Sequence, residues 1–272
     1  KTDDSPLTLA DKESHSTIVQ GLMGFSNAPI LSEEGELPPW STRQEWREYW
    51  LIDPLDGTRE FIAGSGEFTV NIAFIREGEP IFGVVYVPVT DLLFYGQKNV
   101  GAFRQQGRHG LLEKIRCSAP PSAAHGWRVV GSRSHSSPRL VELLATLPRH
   151  QLTAVGSSLK FCLIAEGKAD LYPRFGPTSE WDTAAAQAVL EAAGGQVLGC
   201  RLLFRQQFAQ DRFGFGENVF KVFPQSRFER LAFEPPLLPK SRMPPIDFVQ
   251  AAEDALLLAV SREKLRVLVL VD

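Results

Sequence analysis

The stretch "WLIDPLDGTREFI", residues 50–62, brings two carboxylates, Asp53 and Asp56, to the end of a strand-like run. The bulky apolar residues before Asp53 fit a strand. After it, Pro54 presets its own backbone angle and Gly57 tolerates conformations that other residues avoid. The central "DPLDGT" therefore has two readings, a surface turn or a device for gripping something charged. On the second reading, Asp53, Asp56 and the Leu55 carbonyl are oxygen ligands for a hard cation such as Mg²⁺, which keeps its other positions for water and substrate phosphate. Gly57 and Thr58 then open a helix or turn whose N–H groups suit an anionic phosphate.

The composition narrows the classes. Among 272 residues, 43% are hydrophobic and 22% charged, which allows one large core or two joined subdomains. A net charge of −3 argues against a nucleic-acid surface, which needs clustered Lys and Arg. Cys117, Cys162 and Cys200 lie far apart without CxxC spacing, so they read as reduced packing residues and not as a disulfide framework or zinc site. No apolar run approaches the roughly 20 residues of a membrane span, and no signal peptide opens the chain. The expectation is a cytoplasmic protein with no integral membrane segment and no nucleic-acid partner.

Working outward, "PLTLADKESHSTIVQGLM" reads as a loop entering a helix, with Ile18, Val19, Leu22 and Met23 as its apolar stripe and Thr8 and Asp11 as a capping box. "FTVNIAFI" and "IFGVVYVPV", joined by "REGEP", predict an antiparallel hairpin, and "DLLFYG" and "VGAFR" add strands to the same sheet. From Trp127 the text alternates: "WRVVGS", "LTAVGS" and "ADLYPR" are strand-like, "SPRLVELLATL" and "SLKFCLIAEG" helical. A strong helix, "EWDTAAAQAVLEAAGG", stops at Gly194 and Gly195. Residues 1–120 thus form an α+β unit on an antiparallel sheet, and 121–204 an α/β unit after a linker near 118–126. Residues 205–272 are irregular.

Other acidic residues join the first two as candidates. Glu33 and Glu34 stand in "LSEEG", a pattern equally typical of a solvated loop, and Asp182 precedes the long helix, where a carboxylate is favoured anyway.

"LSEEG", "WLIDPLDGTREFI" and "SEWDTAAAQAVLEAAGG" together resemble the inositol monophosphatase-like superfamily of magnesium-dependent, lithium-sensitive phosphatases. "KTDDSPLTLAD", "GEFTVNIAFI", "GVVYVPV", "SRSH" and "GSSLKFCLIAEGKADLYPRFGPTSEWDTAA" are similar to its bisphosphate nucleotidase branch, over about residues 1–200. The resemblance implies a layered α-β-α-β-α sandwich, of α/β or α+β class. It implies two or three Mg²⁺ ions held by Glu33, Asp53, the Leu55 carbonyl, Asp56 and Asp182. It also implies an attacking water served by Thr58, Asp11 and Glu34, and substrate contacts from Glu33, Leu55, Asp56, Gly57, Thr58, Ser158, Lys160 and Asp182. Ser132 to His135 would line the same cleft.

The implied reaction removes the 3'-phosphate of adenosine 3',5'-bisphosphate, a step linked to sulfate assimilation. An inositol or sugar phosphate substrate, and a silent metal-binding remnant, are the alternatives. A monomer or weak homodimer, cytoplasmic or peripheral on the inner membrane face, is expected. Three features depart from the family pattern: no helical stretch precedes "KTDDSP", Ala186 replaces a usual glycine, and nothing like "DGxPLxYxK" follows Cys200. A truncated and frameshifted, or recombined, reading frame would account for both ends, and poor packing is expected beyond about residue 205.

Overall fold

The computed structural model describes residues 7–122, 124–132, 138–147, 149–176, 178–198 and 221–224. Helix α1 (Leu9–Met23) starts at the expected capping box, with the Thr8 N–H donating to Asp11 Oδ2 at 2.7 Å. Ile18 and Leu22 are fully buried, but Met23 is 68% exposed and leaves the predicted stripe. One further residue rotates the chain about 100° beyond Leu22, off the buried face.

Strands β1 (Ile30–Ser32), β2 (Glu48–Asp56), β3 (Thr69–Arg76), β4 (Glu79–Val87), β5 (Leu92–Gln97), β6 (Gly101–Gln106) and β7 (Leu112–Ile115) form one seven-stranded sheet in chain order. Only β1 and β2 pair in parallel; every other neighbour is antiparallel, including the predicted β3–β4 hairpin. Two short helices, α2 (Trp40–Arg43) and α3 (Thr58–Ile62), flank β2.

The period of two along each strand sorts the core. Trp50 and Ile52 of β2, Ile72 and Phe74 of β3, and Phe82 and Val84 of β4 pack with Ile18 and Leu22 of α1. Tyr49, Leu51, Ala73, Ile75 and Val85 face the other way, onto α5 (Leu159–Ala165) and α6 (Ala184–Ala192). Val130 of β8 (Trp127–Ser132) and Val155 of β9 (His150–Val155) join that same cluster. Val129 turns to the far side and packs on Leu140 and Leu144 of α4 (Pro138–Thr146). The layers are therefore α1, the large sheet, α5 with α6, the parallel β8–β9 pair, and α4: the α-β-α-β-α sandwich expected. "ADLYPR" contributes one bridge, Val129 to Leu171, instead of a strand.

The segment 118–122 has no regular secondary structure, yet the largest apolar cluster holds residues from both sides of it. β10 (Gly195–Leu198) pairs antiparallel with β11 (Lys221–Pro224); the packing expected of the rest of 205–272 lies outside the described residues. Cys117 and Cys162 are unbonded. Among the described residues, no helix is long and apolar enough to cross a membrane.

Two contacts lock the layers. A Cβ on Gly83 would stand 2.1 Å from the Ala185 carbonyl oxygen, so α6 rests directly on the β4 backbone. Asp170 accepts from the Arg128 N–H at 2.8 Å and from Nε at 2.9 Å, while Ser118 Oγ donates to it at 3.0 Å. Burial pulls the Asp170 carboxyl upward, but these donors outweigh it and hold it below its ordinary 3.8.

Gly83→Ala is expected to destabilise by about 2 kcal/mol or more, read as a lowered melting temperature. Asp170→Asn should cost about 2 kcal/mol at pH 7. A carboxyl whose folded pKa is depressed stabilises above its unfolded value and loses that contribution as pH falls through the folded one. The stability gap between wild type and Asp170→Asn, measured by urea titration, should therefore close below about pH 4.

Candidate active site

The quoted stretch folds as a strand that continues through a bulge. Asp53 pairs with Asn71 and Asp56 with Thr69, so three steps on β2 oppose two on β3. Pro54 and Leu55 occupy the extra space, an arrangement that tolerates a residue without an N–H. The sequence suggested a turn after Ile52; the strand instead runs to Asp56 and bends there. The Leu55 N–H donates to Asp53 Oδ1 at 3.0 Å, fixing that side chain. Gly57 follows at φ 96°, and a Cβ there would lie 3.3 Å from the Glu67 carbonyl oxygen and Glu60 Oε2. Only glycine passes that point without strain.

The electrostatics show which carboxylates meet. Asp53 is buried and its proton affinity is driven well up, first by burial, then by the charges of Glu33, Asp56 and Asp182, with a hydrogen bond to Glu33 adding to it. Burial, then Asp182, raises Asp56 to about 6, against the pull of Lys160, the Ser158 N–H and Arg174. Four acidic side chains from β2, the loop after β1 and the segment before α6 therefore share one neighbourhood. As they stand, no three His, Cys, Asp or Glu side chains among the described residues make a ready-set ligand group. The donor set nevertheless fits a hard divalent cation: all oxygen, strongly negative, with Asp53 buried and the other three half-buried.

Asp182 stands two residues before α6, its Oδ2 accepting from Thr178 Oγ1 at 2.8 Å and the Ser179 N–H at 3.1 Å. Nearby, half-buried Glu180 lies 4.0 Å from Arg43 of α2; loss of water pushes its carboxyl up to about 7 despite that arginine.

Beside the carboxylates, Thr58 Oγ1 donates to Asp11 Oδ1 at 3.2 Å, while Asp11 Oδ2 accepts from Thr8 Oγ1 at 2.5 Å. Asp11 thus serves both as helix cap and as partner of Thr58. Glu34 follows Glu33 and bears electrostatically on His15. The Ser158 N–H donates to Asp56 Oδ2 at 2.5 Å, and its hydroxyl bonds Asn71 Oδ1 at 2.8 Å and Thr69 Oγ1 at 2.9 Å. Lys160 is buried; it donates to the Val155 carbonyl at 3.2 Å and to that of Ser157, with its ammonium over the Tyr172 ring. Of "SRSH", Ser132 ends β8 and residues 133–135 lie outside the described residues, as does "KTDDSP".

Sequence reading missed Arg174. The residue is half-buried with its Nε fully enclosed, and its charge acts on both Asp56 and Asp182. A single arginine in "YPRFG" has no periodic or spacing signal, so only the fold reveals it.

The inositol monophosphatase family model matches residues 1–210. A 3'(2'),5'-bisphosphate nucleotidase CysQ of Salmonella typhimurium (strain LT2) is 50% identical over 198 residues, covering 72% of this chain and 77% of that protein. The CysQ of Escherichia coli (strain K12) is likewise 50% identical over 198 residues, again covering 72% of this chain and 77% of its own length. Among solved structures, CysQ of Bacteroides thetaiotaomicron, described as a bacterial member of the inositol monophosphatase family, is similar at 36% identity. Its TM-score is 0.69, with 84% of this chain and 88% of that one covered.

Repulsion among these carboxylates predicts a trade of stability against binding. Without divalent cations, Asp53→Asn should melt about 2–4 °C higher than wild type, corresponding to about 1 kcal/mol. Added Mg²⁺ should raise the melting temperature of wild type and leave the variant nearly unchanged, as differential scanning fluorimetry would show.

Proposed function

The chain belongs to the inositol monophosphatase family, and from that premise we propose that it is a Mg²⁺-dependent 3'(2'),5'-bisphosphate nucleotidase, removing the 3'-phosphate of adenosine 3',5'-bisphosphate to give AMP and phosphate. One observation carries this reading: Asp53 feels the charges of Glu33, Asp56 and Asp182 at once, beside the Thr58–Asp11 pair. The 50% identity to the two CysQ nucleotidases supports the substrate class and its link to sulfate assimilation.

Two or three Mg²⁺ ions, held by Glu33, Asp53, the Leu55 carbonyl, Asp56 and Asp182, would supply positive charge to the phosphoryl oxygens and acidity to water. The N–H groups of Gly57 and Thr58 would hold phosphate oxygens. Thr58 gives its proton to Asp11 and takes one from the attacking water, whose oxygen bonds to phosphorus as the bond to the ribose 3'-oxygen breaks. The departing 3'-oxygen takes a proton from solvent. Glu34 would orient that water or support a third ion. Lys160 and Arg174, whose charges both act on Asp56, would face the phosphates of the substrate, with Ser158 holding the loop beside them. Positioning and charge complementarity of this kind suffice for phosphoryl transfer without a covalent enzyme intermediate. The reaction is placed in the cytoplasm, in a monomer or weak homodimer.

Phosphate release from a panel containing adenosine 3',5'-bisphosphate and inositol 1-phosphate tests the assignment. The nucleotide should be the faster substrate in kcat/KM; faster cleavage of the inositol phosphate overturns the substrate, and no release above the Asp56→Ala background overturns the activity. Thr58→Ala and Asp11→Asn should each lower kcat by roughly 10²–10⁴-fold with KM little changed, as expected for loss of proton transfer.

A further inference from the structure

Helix α1 does more than cap the sheet. Successive positions on one helix face recur every three or four residues, and here they are Asp11, Ser14, His15 and Ile18. Ile18 packs with Trp50 and Ile52 beneath the site. Each of the three polar residues reaches a different part of the ligand-bearing backbone. Asp11 accepts from Thr58 at 3.2 Å. Ser14 Oγ donates to the Pro54 carbonyl at 2.9 Å, inside the bulge between Asp53 and Asp56. His15 Nδ1 shares a hydrogen bond of 2.8 Å with Ser32 Oγ, immediately before Glu33 and Glu34. Ser14 and Ser32 are both buried, so neither hydroxyl finds ready compensation from bulk water if its partner is lost. The Glu33 N–H meanwhile donates to the Ile52 carbonyl at 3.1 Å, so the backbone here is tied to β2 while the Ser32 side chain reaches the helix.

We propose that Ser14 and His15 are positioning residues that set the cation affinity of the site, by tying the Glu33–Glu34 loop and the Asp53–Asp56 bulge to one rigid helix. The inference rests on the reading of those carboxylates as a divalent-cation site. Ligands on two separate segments bind one charge well only if their spacing is fixed beforehand, and partners one shell out supply that fixing.

Isothermal titration of Mg²⁺ into the full chain, without substrate, tests it. His15→Ala and Ser14→Ala should each weaken binding about 10-fold or more, and His15→Asn, whose amide can replace the ring nitrogen, should recover to within about 3-fold of wild type. His15→Ala and Ser32→Ala should not add when combined, since they break one hydrogen bond. Circular dichroism checks that each variant is folded; should His15→Ala fail to fold, Ser14→Ala and Ser32→Ala carry the test. Folded alanine variants within about 2-fold of wild type, additive effects in the double variant, or no recovery with His15→Asn each overturn the proposal. Wild type that takes up no Mg²⁺ overturns the cation site itself, a result distinct from unaltered variants.

Discussion

Mutual repulsion among closely grouped carboxylates, one buried and three half-buried, is the constraint around which this molecule is organised. Left to themselves, such groups would separate or take up protons. Here they are held by a scaffold too tightly packed to relax. Asp53 and Asp56 sit on a strand whose two faces are buried against α1 and against α5 and α6. Asp182 comes from the segment before α6, a helix seated on the bare backbone of Gly83. Apolar burial on both faces of one sheet thus offsets an electrostatic cost at its end, and that cost is what makes the end attractive to cations.

The repulsion is not shared evenly. Asp56 has Lys160, Arg174 and the Ser158 N–H working to keep it ionised, which limits its rise to about 6. Asp53 accepts from the Leu55 N–H, but burial and the charges of Glu33, Asp56 and Asp182 outweigh that donor and drive its proton affinity well up. The charges of Lys160 and Arg174 bear on Asp56, and that of Arg174 on Asp182 as well.

Patterns that repeat were legible in the sequence; contacts that occur once were not. β-rich apolar runs placed β2 to β5, because both faces of the sheet are buried under helices, and "EWDTAAAQAVLEAAGG" announced α6 through its apolar density and glycine stop. The carboxylates themselves stood out as a group through resemblance to a family, since spacing cannot bring Asp182 near Asp56. The bulge after Asp53 escaped because Pro and Gly signal a bend without saying whether pairing continues beyond it. Met23 was misplaced by one step of helical rotation. Arg174 is a single side chain in a loop, whose meaning depends wholly on what the fold brings opposite it.

The acidic residues assigned to the site, with Thr58, Ser158, Lys160 and Arg174, lie between Asp11 and Asp182 among the described residues. One departure from the family pattern, Ala186, lies inside the layers of the fold, buried in α6. Ala186 still joins the cluster that seats α6 against the sheet, so its extra methyl is absorbed as packing. The convergence of charge is thus built from the sheet, α1, α5, α6 and the loops between them. The seat of α6 on β4 is the contact that positions the segment carrying Asp182, so a change at Gly83 or Ala185 reaches the carboxylates through the backbone.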